Sequence, residues 1–418
     1  MVPMEKVRKL SELSSFDMEQ EESLKSVRLG LRGGTLPLYQ AKTPRGKCTL
    51  FKTLMANSCK MDCRYCVNSK CSRGQQDYAY TPEELAHVFM LLYRRRAAEG
   101  LFLSSAIVDP INSMEGILEA AHILRTKEGY RGYMHLKILP GSSMDQVKRA
   151  ASLANRVSIN LETVSPSHLS EIASNKDFRN DILKRQAWVR GIVNSAKSGK
   201  ASEWGPSCNQ ERESTRNHAQ GHSGGTPCTP PRSPAQSEAD GSCRLRTVSH
   251  TSQVMVGVNG ESDREIFSLA ASEYDHIGLN RMYYSAFKPL EGTPLEDVPA
   301  APLWRQNRLY QLDWLYRVYG YSREEAHLAF EGDFLENLDP KTAIARTFFE
   351  RPLEINGAEE GDLLRVPGIG PKTAKSIARS KEKLKGLTDL KRHGAILPRA
   401  LPFIKINGRV QTTLHSFN

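Results

Sequence analysis

From about residue 48 onward the chain alternates two hydrophobic patterns. Short apolar runs at 49–55, 101–108, 133–139, 156–162, 253–258 and 277–287 read as strands. Between them apolar positions recur at helical spacing. Thr81-Pro-Glu-Glu opens the first such stretch, with Thr81 as N-cap, Pro82 in the first turn and two acids beside it. Its Leu85, Val88, Phe89 and Leu92 share one face, and further helices are predicted at 114–125, 144–154, 165–190 and 262–273. Six β/α repeats predict a parallel sheet with right-handed crossovers, too few for a closed eightfold barrel. The predicted fold is therefore α/β, a partial (β/α)6 TIM-like barrel with its chemistry at the carboxyl ends of the strands, followed by an all-α C-terminal region.

One stretch breaks the pattern. Residues 194–250 are rich in Ser, Gly, Pro, Thr and Arg without apolar period, which predicts a disordered insertion. It holds Cys208, Cys228, Cys243, His218 and His222, but at long, irregular gaps unlike zinc-ligand spacing. After the barrel, residues 304–319 form an amphipathic helix. Its Trp304, Tyr310, Trp314 and Tyr319 could stack bases and its Arg305, Arg308 and Arg317 could meet phosphates; on general burial grounds, aromatics in the core and solvated arginines are favoured. Helical segments continue to about residue 349.

Charge changes the picture more than composition does. Formal net charge is +11 and pI about 9.2, a balance that favours a polyanionic partner. No apolar stretch approaches a membrane span, and residues 1–20 lack the apolar centre of a signal peptide. Eight cysteines in a chain of 418 residues do not make a disulfide scaffold. Clustered as they are, they point to metal in a reducing compartment, with the cytoplasm as the expected location.

The cluster is Cys59, Cys63 and Cys66, a C-x3-C-x2-C triplet with Tyr65 before the last Cys. Three thiolates at that spacing can hold three corners of a cubane [4Fe–4S] cluster and leave the fourth iron without a protein ligand. An open iron is what a substrate-binding cluster needs, by the logic that keeps a position free on a catalytic zinc. The alternative is a structural zinc or a closed cluster, since Cys71 follows five residues after Cys66 and could be a fourth ligand. The triplet resembles the signature of radical S-adenosylmethionine (radical SAM) enzymes. That resemblance implies a [4Fe–4S] cluster whose open iron chelates the methionyl group of S-adenosyl-L-methionine, which is then cleaved to a 5′-deoxyadenosyl radical.

A second signature lies in the tail. Asp362-Leu-Leu-Arg-Val-Pro-Gly-Ile-Gly-Pro-Lys-Thr-Ala-Lys-Ser-Ile377 resembles the helix-hairpin-helix module of DNA repair proteins. Residues 367–370 are the predicted hairpin and Leu363, Leu364, Val366, Ile369, Ala374 and Ile377 the packed face. Gly368 and Gly370 let the backbone approach a phosphate, which the N–H groups at the next helix start would welcome. Lys372, Thr373, Lys375 and Arg379 follow. Residues 341–418 hold 15 basic and 7 acidic side chains, so the charge excess concentrates where the motif is. The predicted organisation is an N-terminal segment (1–46), a partial barrel (47–300), a helical connector (301–356), a helix-hairpin-helix (357–385) and a basic tail (386–418).

The two signatures in this order, with Gly100-Leu-Phe-Leu-Ser-Ser105, His135-Leu-Lys137 and Arg281-Met-Tyr-Tyr-Ser-Ala-Phe287 between them, resemble the DNA modification/repair radical SAM proteins. The resemblance covers roughly residues 47–193 and 252–380, and departs from the group at Ala106, where Gly is expected, and in the insertion. It implies a SAM site at Tyr65, Ser104 and Ser105, with Glu162 on the ribose hydroxyls, Asn160 on the same strand face, and Gly257 and Glu261 supporting adenine. It also implies duplex DNA as partner, held by backbone phosphates, and a reducing electron donor such as flavodoxin or ferredoxin. Two alternatives stay open: a SAM-independent DNA-binding protein whose cluster is closed by Cys71 or Cys48, and a radical SAM enzyme acting on RNA.

Overall fold

The computed structural model describes residues 2–14, 23–28, 35–43, 46–72, 76–198, 248–380 and 382–410. Its centre is one eight-stranded sheet in sequential order: β1 (Ser23–Arg28), β2 (Thr35–Thr43), β3 (Gly46–Leu54), β4 (Gly100–Ser104), β5 (Tyr133–Lys137), β6 (Arg156–Ser158), β7 (Ser249–Val256) and β8 (Arg281–Ala286). Strands β3 to β8 are parallel, the six of the predicted partial barrel. The N-terminal segment adds what periodicity missed. There β1 and β2 extend the sheet antiparallel beyond β3, and α1 (Met4–Leu13) buries Val7 and Leu10.

Helices α2 (Pro82–Arg94), α3 (Pro110–Thr126), α4 (Met144–Leu153), α5 (Pro166–Ile172), α6 (Lys184–Lys197) and α7 (Asp263–Ser272) make the crossovers. Three of these starts are written in the chain: Thr81, Ser143 and Ser262 form reciprocal capping boxes with Glu84, Gln146 and Glu265. Leu85, Val88, Phe89 and Leu92 are buried, as their spacing predicts. Every residue of β4 is buried, the mark of a strand with a barrel interior on one face and helices on the other.

The predicted helix 165–190 is interrupted. α5 stops at Ile172, residues 173–177 loop, and a π-helical turn (Phe178–Leu183) leads into α6. Asp177 causes the restart by accepting the Arg179 and Asn180 amides, each at 2.8 Å. The predicted insertion is narrower than its composition suggested, since α6 runs to Lys197 and β7 begins at Ser249. Residues 199–247, with Cys208, His218, His222, Cys228 and Cys243, lie outside the described residues.

α8 (Leu303–Tyr319) lies antiparallel along β8, the last strand of the open sheet. Alternate β8 amides are taken up by side chains: Ala286 N–H by Gln306 Oε1 (2.6 Å), Tyr284 N–H by Tyr310 Oη (3.1 Å) and Met282 N–H by Tyr274 Oη (2.8 Å). Tyr274 and Tyr284 in turn donate to buried Asp313, which Arg317 pairs at 2.6 Å. Tyr310 is therefore a structural hydrogen-bond partner and Trp304 is half-buried, as the core alternative for this helix requires. Its arginines, however, are not simply solvated. Arg305 pairs with Asp263 at 2.9 Å, Arg308 bonds Gln311 and Asn337, and Trp314 is left exposed.

Beyond α8 come α9 (Arg323–His327), a small hairpin of β9 (Phe330–Glu331) and β10 (Phe334–Leu335), and α10 (Pro340–Phe348). A second core follows, built on β11 (Leu353–Glu354), α11 (Glu360–Arg365), α12 (Pro371–Ala378), α13 (Leu387–Arg392), α14 (Leu397–Ala400), β12 (Ile404–Ile406) and β13 (Arg409–Val410). Leu363, Val366, Ile369, Ala374 and Ile377 are buried in it and Leu364 sits half-buried at its edge, so the predicted packed face exists. Residues 386–410 are not an appendage, because Leu390, Ala400, Leu401 and Ile404 complete this core. Lys341 donating to Ile369 O, the Arg365–Glu325 pair and the Arg399–Asp339 pair fasten it to the barrel side. Among the described residues no helix is long and apolar enough to cross a membrane.

A buried acid supplies a stability test. Glu273, in the π-helical turn (Glu273–Ile277) after α7, is 5% exposed and its Oε2 has no partner among the described residues. Burial pushes its carboxyl from 4.5 up to about 7. Folding therefore favours the protonated form: this contribution is complete below 4.5 and is lost as pH rises through 7. Glu273→Gln should raise the unfolding temperature at pH 8, from a gain on the order of 3 kcal/mol, and do much less at pH 4.5. Equal effects at both values would contradict the assignment.

Candidate active site

The end of β3 feeds directly into the cysteine loop, which the surrounding backbone holds in place. Lys60 N–H bonds Ile107 O at 2.8 Å, Arg64 N–H bonds Ile172 O at 2.8 Å, and Lys70 N–H bonds Met61 O at 3.1 Å. Asp62 clasps the loop 173–177, accepting from Ser174 Oγ and from the Asn175 amide at 3.0 Å. Asn57 bonds Gln76 O and the Tyr78 amide, closing the base of the loop. The turn at 173–177, formed because the helix breaks, is thus the surface on which the cysteines dock.

Cys59, Cys63 and Cys66 line a cavity of about 460 Å³ at the carboxyl ends of the strands. All six parallel strands reach it: Leu54, Ser104, Lys137, Asn160 and Glu162 just past β6, Gln253 and Met255, and Ser285 and Ala286. Of the residues predicted for a cofactor, Tyr65, Ser104, Ser105, Asn160 and Glu162 come together here, as does Ala106. Gly257 and Glu261 do not line it. The Glu261 carboxylate is consumed by the amides of Gly257, Val258 and Asn259, closing the turn after β7. Gly257 has φ +80°, and a Cβ there would lie 2.7 Å from Ala301 Cβ, so its conformation serves packing against the start of α8.

Pattern reading missed the cation of the site. Lys176 Nζ bonds Glu162 Oε1 at 3.1 Å and Tyr65 Oη at 3.2 Å, with the two charged side chains only 6% and 12% exposed. Burial alone would lower the Lys176 ammonium, but the Cys63 thiol, Glu162 and Tyr65 hold it well above its usual range. Burial raises Glu162, and Lys176 with Lys137 more than offsets that. Glu162 also has φ +69°, a left-handed conformation uncommon for a non-glycine residue and typical of strained functional positions. The one sequence signal was the turn-forming run Ser174-Asn-Lys-Asp177 inside an apparent helix.

The donor set fits an iron–sulfur cubane. The Ile107 amide points at Cys59 Sγ (3.3 Å), the kind of N–H···S contact that tunes such clusters. Burial raises Cys63, with Lys176 pulling it back, and pushes Cys66 up to about 12, so loading a cluster has to release thiol protons. Among the described residues no three His, Cys, Asp or Glu side chains converge on a single-ion site. A cubane asks for something else, one thiolate on each of three irons with the fourth left open. Cys71 is exposed, and Cys48 stands at the start of β3 beside Glu99; neither lines the cavity. Cys59, Cys63 and Cys66 would hold the cluster, which supplies the electron for cleaving bound SAM. The chain's own contribution is a walled cavity with hydroxyl, amide, carboxylate and ammonium groups at fixed places.

Two outcomes follow from this geometry. Cys71→Ser should retain iron and the EPR change on adding SAM, whereas Cys63→Ser should lose both; a cluster that survives Cys63→Ser but not Cys71→Ser would require a different ligand set. Lys176→Met should destabilise the cluster-free protein by about 3–5 kcal/mol, because it leaves a buried carboxylate unpaired, and adding Glu162→Leu should recover most of that loss. Denaturant unfolding of the single and double variants checks it, and no recovery would mean the pair is not coupled.

Residues 53–195 match the family model described as the radical SAM superfamily. No curated protein matches the chain. Among solved structures it is similar to HydG, a maturase of the [FeFe]-hydrogenase, at 13% identity and TM-score 0.42, covering 64% of this chain and 50% of that one. It is also similar to methylornithine synthase (PylB), at 14% identity and TM-score 0.38, covering 59% and 56%. HydG from Carboxydothermus hydrogenoformans gives 10% identity and TM-score 0.41, covering 63% and 49%. The chain thus spans about half the length of the solved structures it matches. The cysteine loop, at the carboxyl rim of a six-strand parallel half-barrel, thus lies within the residues that match the radical SAM superfamily, whose members use a [4Fe–4S] cluster and S-adenosyl-L-methionine.

Proposed function

We propose that this chain is a radical SAM enzyme, holding a [4Fe–4S] cluster and S-adenosyl-L-methionine, and that its chemistry is directed at DNA, to modify or repair it, with the turn between α11 and α12 as a grip on the phosphate backbone. The observation that carries the reading is that turn itself. Its apolar residues are buried on both flanks, while Lys372, Lys375 and Arg379 stand exposed along α12. The grip differs in detail from a free hairpin. A Cβ on Gly368 would lie 2.5 Å from Ile396 O and 3.1 Å from Arg399 Cβ, so that glycine accommodates α14 rather than a phosphate. Gly370, Thr373 and the exposed lysines remain for the backbone, at the amide-rich start of α12.

Few phosphates would be neutralised, so affinity is modest and falls with salt at a slope near 0.9 per phosphate. A target base has to leave the stack to reach the cysteine cavity, at a cost of a few kcal/mol that is lower for a damaged or mismatched base. Reducing equivalents come from an external donor of the flavodoxin or ferredoxin kind. In an anaerobic assay, the reconstituted protein should form methionine and 5′-deoxyadenosine, and Cys63→Ala should not. Lys372→Glu with Lys375→Glu should weaken binding to all duplex sequences alike while DNA-free SAM cleavage is unchanged. A double variant that holds duplex DNA as wild type does at physiological salt removes DNA from the reading.

A further inference from the structure

A second cavity, of about 590 Å³, lies where α8, α10 and the α11–α12 turn meet. It is at the far end of β8 from the cysteines: Arg281, which opens that strand, lines this cavity, and Ser285 and Ala286, near its end, line the other. Neither the cluster nor SAM accounts for it.

Its walls combine aromatic rings with cations. Trp314 is 52% exposed, with Tyr310 and Tyr319 also lining the space. Two arginines are already matched, Arg317 to Asp313 and Arg399 to Asp339, each at 2.6 Å. Lys341 is not. It is 7% exposed, donates to Ile369 O at 2.6 Å and sits 4.9 Å from the Tyr319 ring centroid, and no carboxylate pairs with it among the described residues. Burial pushes this ammonium down to about 7, with Asp339 drawing it up and Arg399 pressing it down. A buried ammonium without a counter-ion, facing an open cavity, is stabilised by an anion that enters. Gly370 and the buried Thr373 bring the start of α12 to the same space.

Aromatic faces beside a buried cation that no carboxylate pairs fit a nucleobase carrying a phosphate. We propose that this cavity receives one unpaired nucleotide of a DNA strand, its base against Trp314 and its phosphate towards Lys341 and the start of α12. The proposal rests on the DNA reading above and deepens it, making single-stranded or frayed DNA the preferred form. A paired base shows the grooves only its edge, whereas stacking on a side chain needs the exposed face of a base outside the duplex.

Anisotropy of a labelled dodecathymidylate, a flush-ended duplex and the matching RNA, with free dTMP as competitor, tests this on the full chain. Trp314→Ala should weaken the single strand about tenfold or more, the effect of losing one stacked base, and leave the duplex unchanged. Trp314→Phe should restore most of the loss, with equal unfolding temperatures showing that the fold is intact. Wild-type affinity for the single strand in Trp314→Ala overturns the proposal. So does dTMP competing as well as the oligonucleotide, which would mark a free-nucleotide site, or a preference for the RNA. If Trp314→Ala has no effect while Lys372→Glu with Lys375→Glu still weakens the duplex, the cavity assignment fails and the backbone grip stands. If wild type binds neither form of DNA, the DNA reading itself fails.

Discussion

A parallel sheet of six strands cannot close on itself, and the exposed edge at β8 is the constraint from which much of the remaining architecture follows. An open edge presents a row of unsatisfied amides. Here the amides of Met282, Tyr284 and Ala286 bond to side chains rather than to another strand, from Tyr274, Tyr310 and Gln306. That solution needs a helix lying along the strand with polar groups at matching intervals, which is why α8 is not purely apolar on its inner face.

The active cavity depends on a comparable exchange between elements distant in sequence. The cysteine loop has little apolar content of its own and is positioned by bonds to residues 107 and 172–175. Breaking the helix at Ile172 forgoes several helical bonds. In return the chain obtains a turn that receives Asp62 and sends Lys176 under the cysteines. The buried ammonium then sits beside the cysteine sulfurs, and its partner Glu162 is held in a conformation that only a well-packed neighbourhood sustains.

What could be read in the sequence were features with a local cause. Strand and helix order, the caps at Thr81, Ser143 and Ser262, the buried face of α2 and the apolar flanks of the hairpin all follow from spacing and neighbouring residues. The cysteine triplet was legible because one loop carries all three thiols. Lys176 was not, since its role comes from a tertiary approach more than a hundred residues removed from Tyr65. Glu261 shows the reverse: a carboxylate at a strand end looks like a ligand until three amides of its own turn take it up. Residues 386–410 misled by composition, because their charges are exposed while a few well-spaced apolar residues fill the second core.

The length of α8 has a consequence for scale. Its 17 residues span about 25 Å. Gln306 near its start bonds Ala286 on the rim of the cysteine cavity, and residues from Asn307 to Tyr319 line the second cavity. One rigid helix therefore joins the two spaces, so that a displacement of α8 along β8 is felt at both.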